Sequence, residues 1–431
     1  MQASLSFEQA PPISVPFRFF LTAPLFGVAA GVLLICFGAD ALASRWNGTT
    51  LALTHLLTVG FMLEAMCGAL LQILPVAAGA NVWRPLWVAW LTHGGITVGG
   101  VLLVAGFVLE AAALFRFAVP LLVLAVGVYV VVLLKSLLST PAMSATLVAL
   151  RVALIALGVT VALGAALASS FGWSVSLPLI QLTHLHAVWG LLGWSLTLTA
   201  GVAYLVVPMF QLTPSYDARL TKHFAIGLVT ALSVWSVLWL GGDGVQGWRT
   251  GVAAVLAALA AGFGVATLRL QQRRRRKVTD ATLLFWRVAM ASLIAGAGLG
   301  IVAPALSEPL RERVEVVIGV LIVVGVFISA ISGMMYKIIP FLNWLHLQRI
   351  MTRVPNMKQM LSDKHMRGQF WLHGATLALL LAAVVLPVLT YAAGVAMILA
   401  SAWLEWNLIQ AARFYWRLVQ GESPVAVIAQ R

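Results

Sequence analysis

Residues 178–208 read PLIQLTHLHAVWGLLGWSLTLTAGVAYLVVP, a run with no Asp, Glu, Lys or Arg. At about 1.5 Å of rise per residue, a helix of that length crosses a ~30 Å hydrocarbon layer with room to tilt. The run has many counterparts. Apolar stretches of similar character fall at 18–41, 51–78, 86–109, 114–137, 145–170, 178–209, 223–241, 250–270, 281–304, 314–341, 370–391 and 393–416. The expected fold is therefore all-α, a polytopic membrane bundle of about twelve transmembrane helices.

Composition agrees. Of 431 residues, 61% are hydrophobic and 9% charged, and the mean hydropathy is +1.00. A soluble chain of this size has no interior large enough for that much apolar surface, so a lipid bilayer is the first expected partner. The formal charge of +14 would point to nucleic acid in a soluble protein, but here the cations lie in short loops between apolar runs. With the N-terminus placed inside, the outer loops and helix ends hold only Arg45, Arg116, Arg249, Arg311 and Arg313 of the 27 Lys and Arg. The other 22 fall inside, including Arg273-Arg274-Arg275-Arg276-Lys277 and the 349–367 loop. That is the positive-inside pattern of a bacterial-type inner (plasma) membrane protein with both termini cytoplasmic and no nucleic-acid partner. The basic run reads as a topology determinant first and a contact for anionic lipid head groups second. Cys36 and Cys67 lie inside apolar runs, which argues against a disulfide framework. The segment before Phe19 is polar and contains proline, with no cleavable signal pattern.

An internal repeat organises the chain. Leu53-Thr54-His55-Leu56 opens the second run and Leu182-Thr183-His184-Leu185 the sixth. Both continue through Gly-rich apolar sequence to Leu74-Pro75 and Val207-Pro208, and the tenth run ends likewise at Ile339-Pro340. A second histidine set follows at His93, His223 and His373. The intervals from 55 to 184 and from 93 to 223 are 129 and 130 residues. The expectation is one fused domain, 1–431, of three four-helix units over about 18–138, 145–270 and 281–417.

The histidines carry the chemistry. His55, His184 and His186 each lie one to two turns into runs that start at the outer face, so they share one level. His184 and His186, two apart, point about 200° apart on a helix and cannot chelate one metal between them. Each can reach a different site. An imidazole in apolar surroundings needs a partner, either a metal or haem iron, or a loop carbonyl or interfacial water. His93, His223 and His373 open inward-starting runs and read as interfacial packing; His346 and His365 lie in a basic loop and read as solvated. Met62 and Met66 share the His55 face at intervals of seven and eleven, where a thioether suits copper(I) or haem iron, although methionine more often fills gaps in a core. Glu64 sits mid-helix, nine residues from His55 and on the opposite face of an α-helix. A carboxyl there is either a proton-relay group or a neutral acid hydrogen-bonded between helices, and Glu405 raises the same question more weakly.

The stretch His186-Ala-Val-Trp-Gly through Tyr204-Leu-Val-Val-Pro208, then Pro214-Ser-Tyr216-Asp-Ala-Arg219-Leu-Thr-Lys-His223-Phe224, resembles helices 6 and 7 of the catalytic subunit (subunit I) of haem–copper oxidases, nearest the C-type branch. Gly333-Met334-Met335-Tyr336 through Pro340 resembles the end of that family's helix 10. The resemblance implies a copper ligand at the sixth-run histidine, a low-spin haem ligand at His55, twelve helices and inside termini. Two departures stand against the full centre. The family's His-His pair at the far end of helix 7 is replaced by Gly241-Gly242-Asp243-Gly244, and its helix-10 His-x-His has no counterpart around Val316 to Val320. A His-x-His stands in the sixth run instead. The resemblance then implies a divergent member, like the haem- and copper-binding membrane proteins linked to nitric oxide metabolism. It would bind haem b, copper or both near the outer face through His55, His184 and His186, with Glu64 as a proton group, for electron transfer or chemistry of oxygen or nitric oxide. A membrane or periplasmic electron donor and a homo-oligomer are the partners this implies. Whether the chain is an enzyme stays open, and standard oxygen reduction is not expected. The rival readings are a transporter or metal-handling protein, and a cofactor-free accessory scaffold, on the same bundle. No Cys-x-x-Cys-His occurs, so covalent c-type haem is not expected.

Overall fold

Loop side chains set several helix starts. Asn47, Ser144, Asp217 and Asp280 each accept a hydrogen bond from a backbone N–H of the first turn that follows, satisfying donors that a helix leaves open. The computed structural model describes residues 10–140, 144–241, 243–276 and 278–429, which places Gly242, the Asp243 side chain and Lys277 outside the description. The described residues form helices, turns and loops and no strand.

Among the described residues, eleven helices are long and apolar enough to cross a membrane. They are α1 (Ser14–Leu42), α2 (Gly48–Val76), α3 (Pro85–Leu109), α4 (Ala112–Leu138), α5 (Ala145–Trp173), α6 (Leu179–Gln211), α7 (Ala218–Leu240), α8 (Gln246–Gln272), α9 (Ala281–Ala305), α10 (Glu308–Leu347) and, after the next helix, α12 (Leu389–Val419). The remaining expected span corresponds to α11, Asp363–Ala383. Asp363, Lys364, His365 and Arg367 fill its first turns, so its apolar run starts well after the helix does. That offset moves His373 from the expected start of a span to the middle of a 21-residue helix.

The helices pack as a closed ring around three inner members. Going round the ring, α3, α4, α5, α7, α8, α9, α11, α12 and α1 each touch the next, and α1 touches α3. Inside stand α2, α6 and α10, whose apolar windows are 78%, 61% and 61% buried, against at most 56% for the other spans. Apolar area gains little by leaving lipid for protein, so close backbone approach matters more here than in water. Where α1 crosses α12, Gly31 and Gly394 face each other, and a Cβ on either would stand 2.7 to 2.8 Å from the other's carbonyl oxygen.

The three inner helices share a backbone feature. Each inner helix widens into π-helical turns over eight residues, at Leu56–Leu63, Trp189–Leu196 and Leu321–Ile328. Their starts are 133 and 132 residues apart. The same intervals relate Gly60, Gly193 and Gly325 within these segments, Gly68, Gly201 and Gly333 beyond them, and the terminal Pro75, Pro208 and Pro340. Each glycine of the first set meets the preceding ring helix, at Phe26, Ala156 and Ser292. Widened turns leave carbonyls that ordinary α-bonds would fill. Ser195, Thr197 and Ser329 hydroxyls donate to the carbonyls five residues back, Gly190, Leu192 and Val324.

Candidate functional site

His55 and His186 come together. Their rings lie 6.2 Å apart between centroids and within 17° of parallel, seven residues into α2 and α6. Both helices start at the same end of the bundle, and the far ends of α3 and α5 complete the surroundings. The Phe107 ring of α3 lies along His55 at 5.3 Å and packs edge-on against Phe115 and Phe171, which close that side. Gly164 of α5 makes room for His186, since a Cβ there would stand 2.8 Å from the imidazole Cε1.

Hydrogen bonding fixes the state of both rings. His55 Nδ1 lies 2.7 Å from the Leu51 carbonyl and His186 Nδ1 lies 3.0 Å from the Thr160 carbonyl. A carbonyl only accepts, so each Nδ1 carries the proton and each neutral ring keeps its Nε2 lone pair. Neither Nε2 has a hydrogen-bond partner among the described residues. A histidine whose Nδ1–H is held by a carbonyl and whose Nε2 is free has the tautomer and restraint of a metal ligand.

His184 goes elsewhere. The two-residue interval turns it to the other flank of α6, where Arg45 Nη2 donates to its Nε2 at 2.8 Å and Trp239 lies 4.5 Å from its ring. Arg45 is in turn paired with Glu315 of α10 at 3.0 Å, and Arg249 lies over Trp239. Burial, opposed by Glu315 and reinforced by Arg311, lowers the Arg45 pKa, yet a guanidinium remains charged at neutral pH. The His184 Nε2 lone pair is already engaged, so the described site joins His55 to His186 and leaves His184 in a polar cluster tying α6 to α10.

Glu64 does not lie opposite His55. Eight residues of π-helix advance by about 82° each instead of about 100°, a lag of roughly 140° that swings Glu64 towards the same neighbour. Thus His55 rests on Phe107 of α3 and Glu64 Oε1 accepts from Thr97 of the same helix at 2.7 Å. Glu64 is fully buried and its Oε2 has no partner among the described residues. The repeat explains its place: Glu64, Thr197 and Ser329 each follow a π segment, and Ser329 is bridged to the next ring helix through His373, as Glu64 is through Thr97. The π segment also resets the intervals that aligned Met62 and Met66 with His55; both methionines are core, 2% and 5% exposed.

The other histidines lie apart from the pair, with His223 and His365 exposed. His93 bonds Thr22 of α1 and meets Phe19 edge-on, as expected of packing. His346, expected to be solvated, is buried at the end of α10, with Nδ1 against the Leu342 carbonyl and Nε2 against the Pro11 carbonyl. The loop begins only after it, so its neighbours' charge misled. No group of three or more His, Cys, Asp or Glu suited to a metal is gathered among the described residues. The replaced stretch Gly241-Gly242-Asp243-Gly244 falls partly outside them.

No protein-family model matches this chain, and comparison with curated proteins found no match.

Proposed function

We propose that this chain is a multi-pass protein of a bacterial-type inner membrane, with cytoplasmic termini, that holds a haem b iron or a copper ion between His55 and His186 near the outer face. Its role is electron transfer or chemistry of a diatomic gas, oxygen or nitric oxide, as a divergent relative of haem–copper oxidase catalytic subunits. The observation that carries this reading is the pair of Nε2 lone pairs, each left free by an Nδ1–H held on a backbone carbonyl.

The residues present fit such a group. His55 and His186, whose ring centroids lie 6.2 Å apart, would hold the group through their two Nε2 atoms. Two neutral imidazoles suit two-coordinate copper(I), or haem iron whose porphyrin supplies the other four ligands; a structural zinc site asks for four protein ligands. The bound group would supply one-electron chemistry. The chain supplies the rest: Leu51 and Thr160 hold the two tautomers, Gly164 leaves space for His186, and Phe107 with Phe115 and Phe171 shields the pair. Glu64, fully buried with one carboxyl oxygen unpartnered among the described residues, is the candidate for holding a proton. The five-against-22 division of Lys and Arg supports the orientation.

The test is an optical spectrum and metal analysis of purified protein, with His55→Ala and His186→Ala alongside. Sharp b-type bands on reduction, or stoichiometric copper without colour, lost in both variants and retained in His184→Ala, would support the site. A colourless, metal-free protein that stays so after supply of haem and copper would sink it and leave the scaffold reading.

A further inference from the structure

A second polar place lies on the other side of α2, away from the two-histidine pair. A cavity of about 20 Å3 opens between α1, α2, α10, α11 and α12, lined by Gly27, Phe61, His373, Thr376, Met397 and Ser401 among others. A water molecule needs roughly 10–15 Å3 of such room and two to four polar partners, so this space has room for one water.

His373 provides the first partner. Ser329 Oγ donates to the Val324 carbonyl, a carbonyl of the widened turns, and so accepts from His373 Nε2 at 2.8 Å. That assignment leaves Nδ1 as a lone pair, on a ring only 4% exposed, with no hydrogen-bond partner among the described residues. An unfilled acceptor inside a membrane protein is costly. Thr376 Oγ, which donates to the Leu372 carbonyl, retains acceptor capacity at the same cavity. Ser401 Oγ, from α12, faces Gly27 closely enough that a Cβ there would displace it.

The geometry points to a resident water in this cavity, donating to His373 Nδ1 and shared with the Thr376 and Ser401 hydroxyls. The ligand class is set by size and by the donor that His373 lacks: a single small hydrogen-bond donor. Apolar gas is disfavoured, because it would fill the space and leave Nδ1 unpaired. The site ties the π segment of α10 to α11 and α12 through Ser329, His373 and the water. It depends on no metal or haem.

Millisecond radiolytic hydroxyl-radical labelling of the whole protein in detergent or nanodiscs tests this, because radicals form at trapped water and mark adjacent side chains. Met397 lines the cavity and is 4% exposed; Met62 and Met290, 2% and 0% exposed, do not line it and serve as internal controls. Met397 is expected to be labelled at least tenfold faster than either control. His373→Gln, which keeps a donor for Ser329 and an acceptor for water, should retain that labelling. His373→Leu and Gly27→Ala should bring Met397 down to the control rate, with folding checked by monodispersity and thermal unfolding. Wild-type Met397 labelled no faster than Met62 and Met290 overturns the proposal, whatever the variants do. Undiminished labelling in a folded His373→Leu protein overturns the part assigned to His373.

Discussion

The three atoms nearest to a Cβ placed on Gly164 all belong to the imidazole of His186, so the missing side chain is what admits the ring. Gly164→Ala would set a methyl 2.8 Å from Cε1, forcing the ring off the line that Thr160 gives it. A lost orienting contact typically costs about 10–100-fold in metal affinity, so we expect at least about tenfold weaker retention of the bound group in Gly164→Ala. Retention would be read by metal or haem content after dialysis against a competitor; unchanged content would mean that the ring position does not matter and that the pair is not a ligand set. Glu64 makes a separate prediction. Its Oε1 accepts from Thr97, and a carboxamide oxygen accepts equally well, so Glu64→Gln should leave thermal stability within about 0.5 kcal/mol. Thr97→Val removes the donor to a fully buried carboxyl and should cost about 1 kcal/mol, within the measured range for interhelical hydrogen bonds in membranes. Both figures would come from reversible unfolding in mixed micelles. A Glu64→Gln protein as stable as wild type but slow in electron or gas turnover would separate a proton role from a structural one.

At the scale of elements, the π segments do what the sequence could not announce. Each inner run is apolar on nearly all sides, so its hydrophobic pattern defines no face, and nothing in it distinguishes eight residues of wider turn from α-helix. The histidine motif even suggested a 129-residue register, whereas the glycines, prolines and π segments repeat at 133 and 132, one turn away. The spacing of Gly60, Gly193 and Gly325 was the signal that would have found it. What was legible followed from simple geometry: run lengths gave the spans, and the two-residue interval put His184 and His186 on different flanks. Which flank met His55 depended on helix rotation, which neighbours set. A substitution tests the segments directly. Gly325→Ala would bring a methyl 2.5 Å from Ser292 Oγ and should destabilise the fold by about 1–3 kcal/mol. Gly319→Ala, on the same helix with nothing within 4 Å, should be neutral or slightly stabilising. Equal effects would mean that the α9–α10 contact is not tight. At the start of α9, Asp280 both caps the helix and pairs with Lys337 at 2.9 Å and Arg276 at 3.2 Å. Burial pushes its carboxyl up, but Lys337, the cap and Arg276 together outweigh that and hold it below the ordinary value. A depressed carboxyl stabilises above its unfolded pKa of about 3.9 and loses that contribution as pH falls through the folded value. Wild-type melting temperature should therefore drop more steeply than that of Asp280→Asn below about pH 4.

At the scale of the molecule, the described residues form a ring of nine helices around three, and the proposed histidine ligands sit between two of the inner helices, α2 and α6. The third, α10, presents Val320 and Leu321 at the start of its π segment, and Ser329 where the segment ends. In the haem–copper oxidase family proposed here as a relative, oxygen reduction needs a haem iron facing a copper held by three histidines. Among the described residues no such triad is gathered. Nor do the remaining histidines supply one: His93 is bonded to Thr22, His373 to Ser329, His346 to two backbone carbonyls and His184 to Arg45, while His223 and His365 are exposed. A carboxylate such as Asp243 is a harder ligand than imidazole and replaces it poorly on copper. We therefore expect negligible oxygen-reducing turnover and no coupled proton pumping, even in protein loaded with haem. The measurement is oxygen uptake by the purified protein with a low-potential donor, set against a double His184→Ala, His186→Ala variant. Background uptake equal in both would agree with a site that passes electrons or binds a gas without reducing oxygen. Robust uptake that vanishes in the variant would overturn the expectation, because it would require α6 to carry a working reduction centre that two imidazoles alone do not assemble.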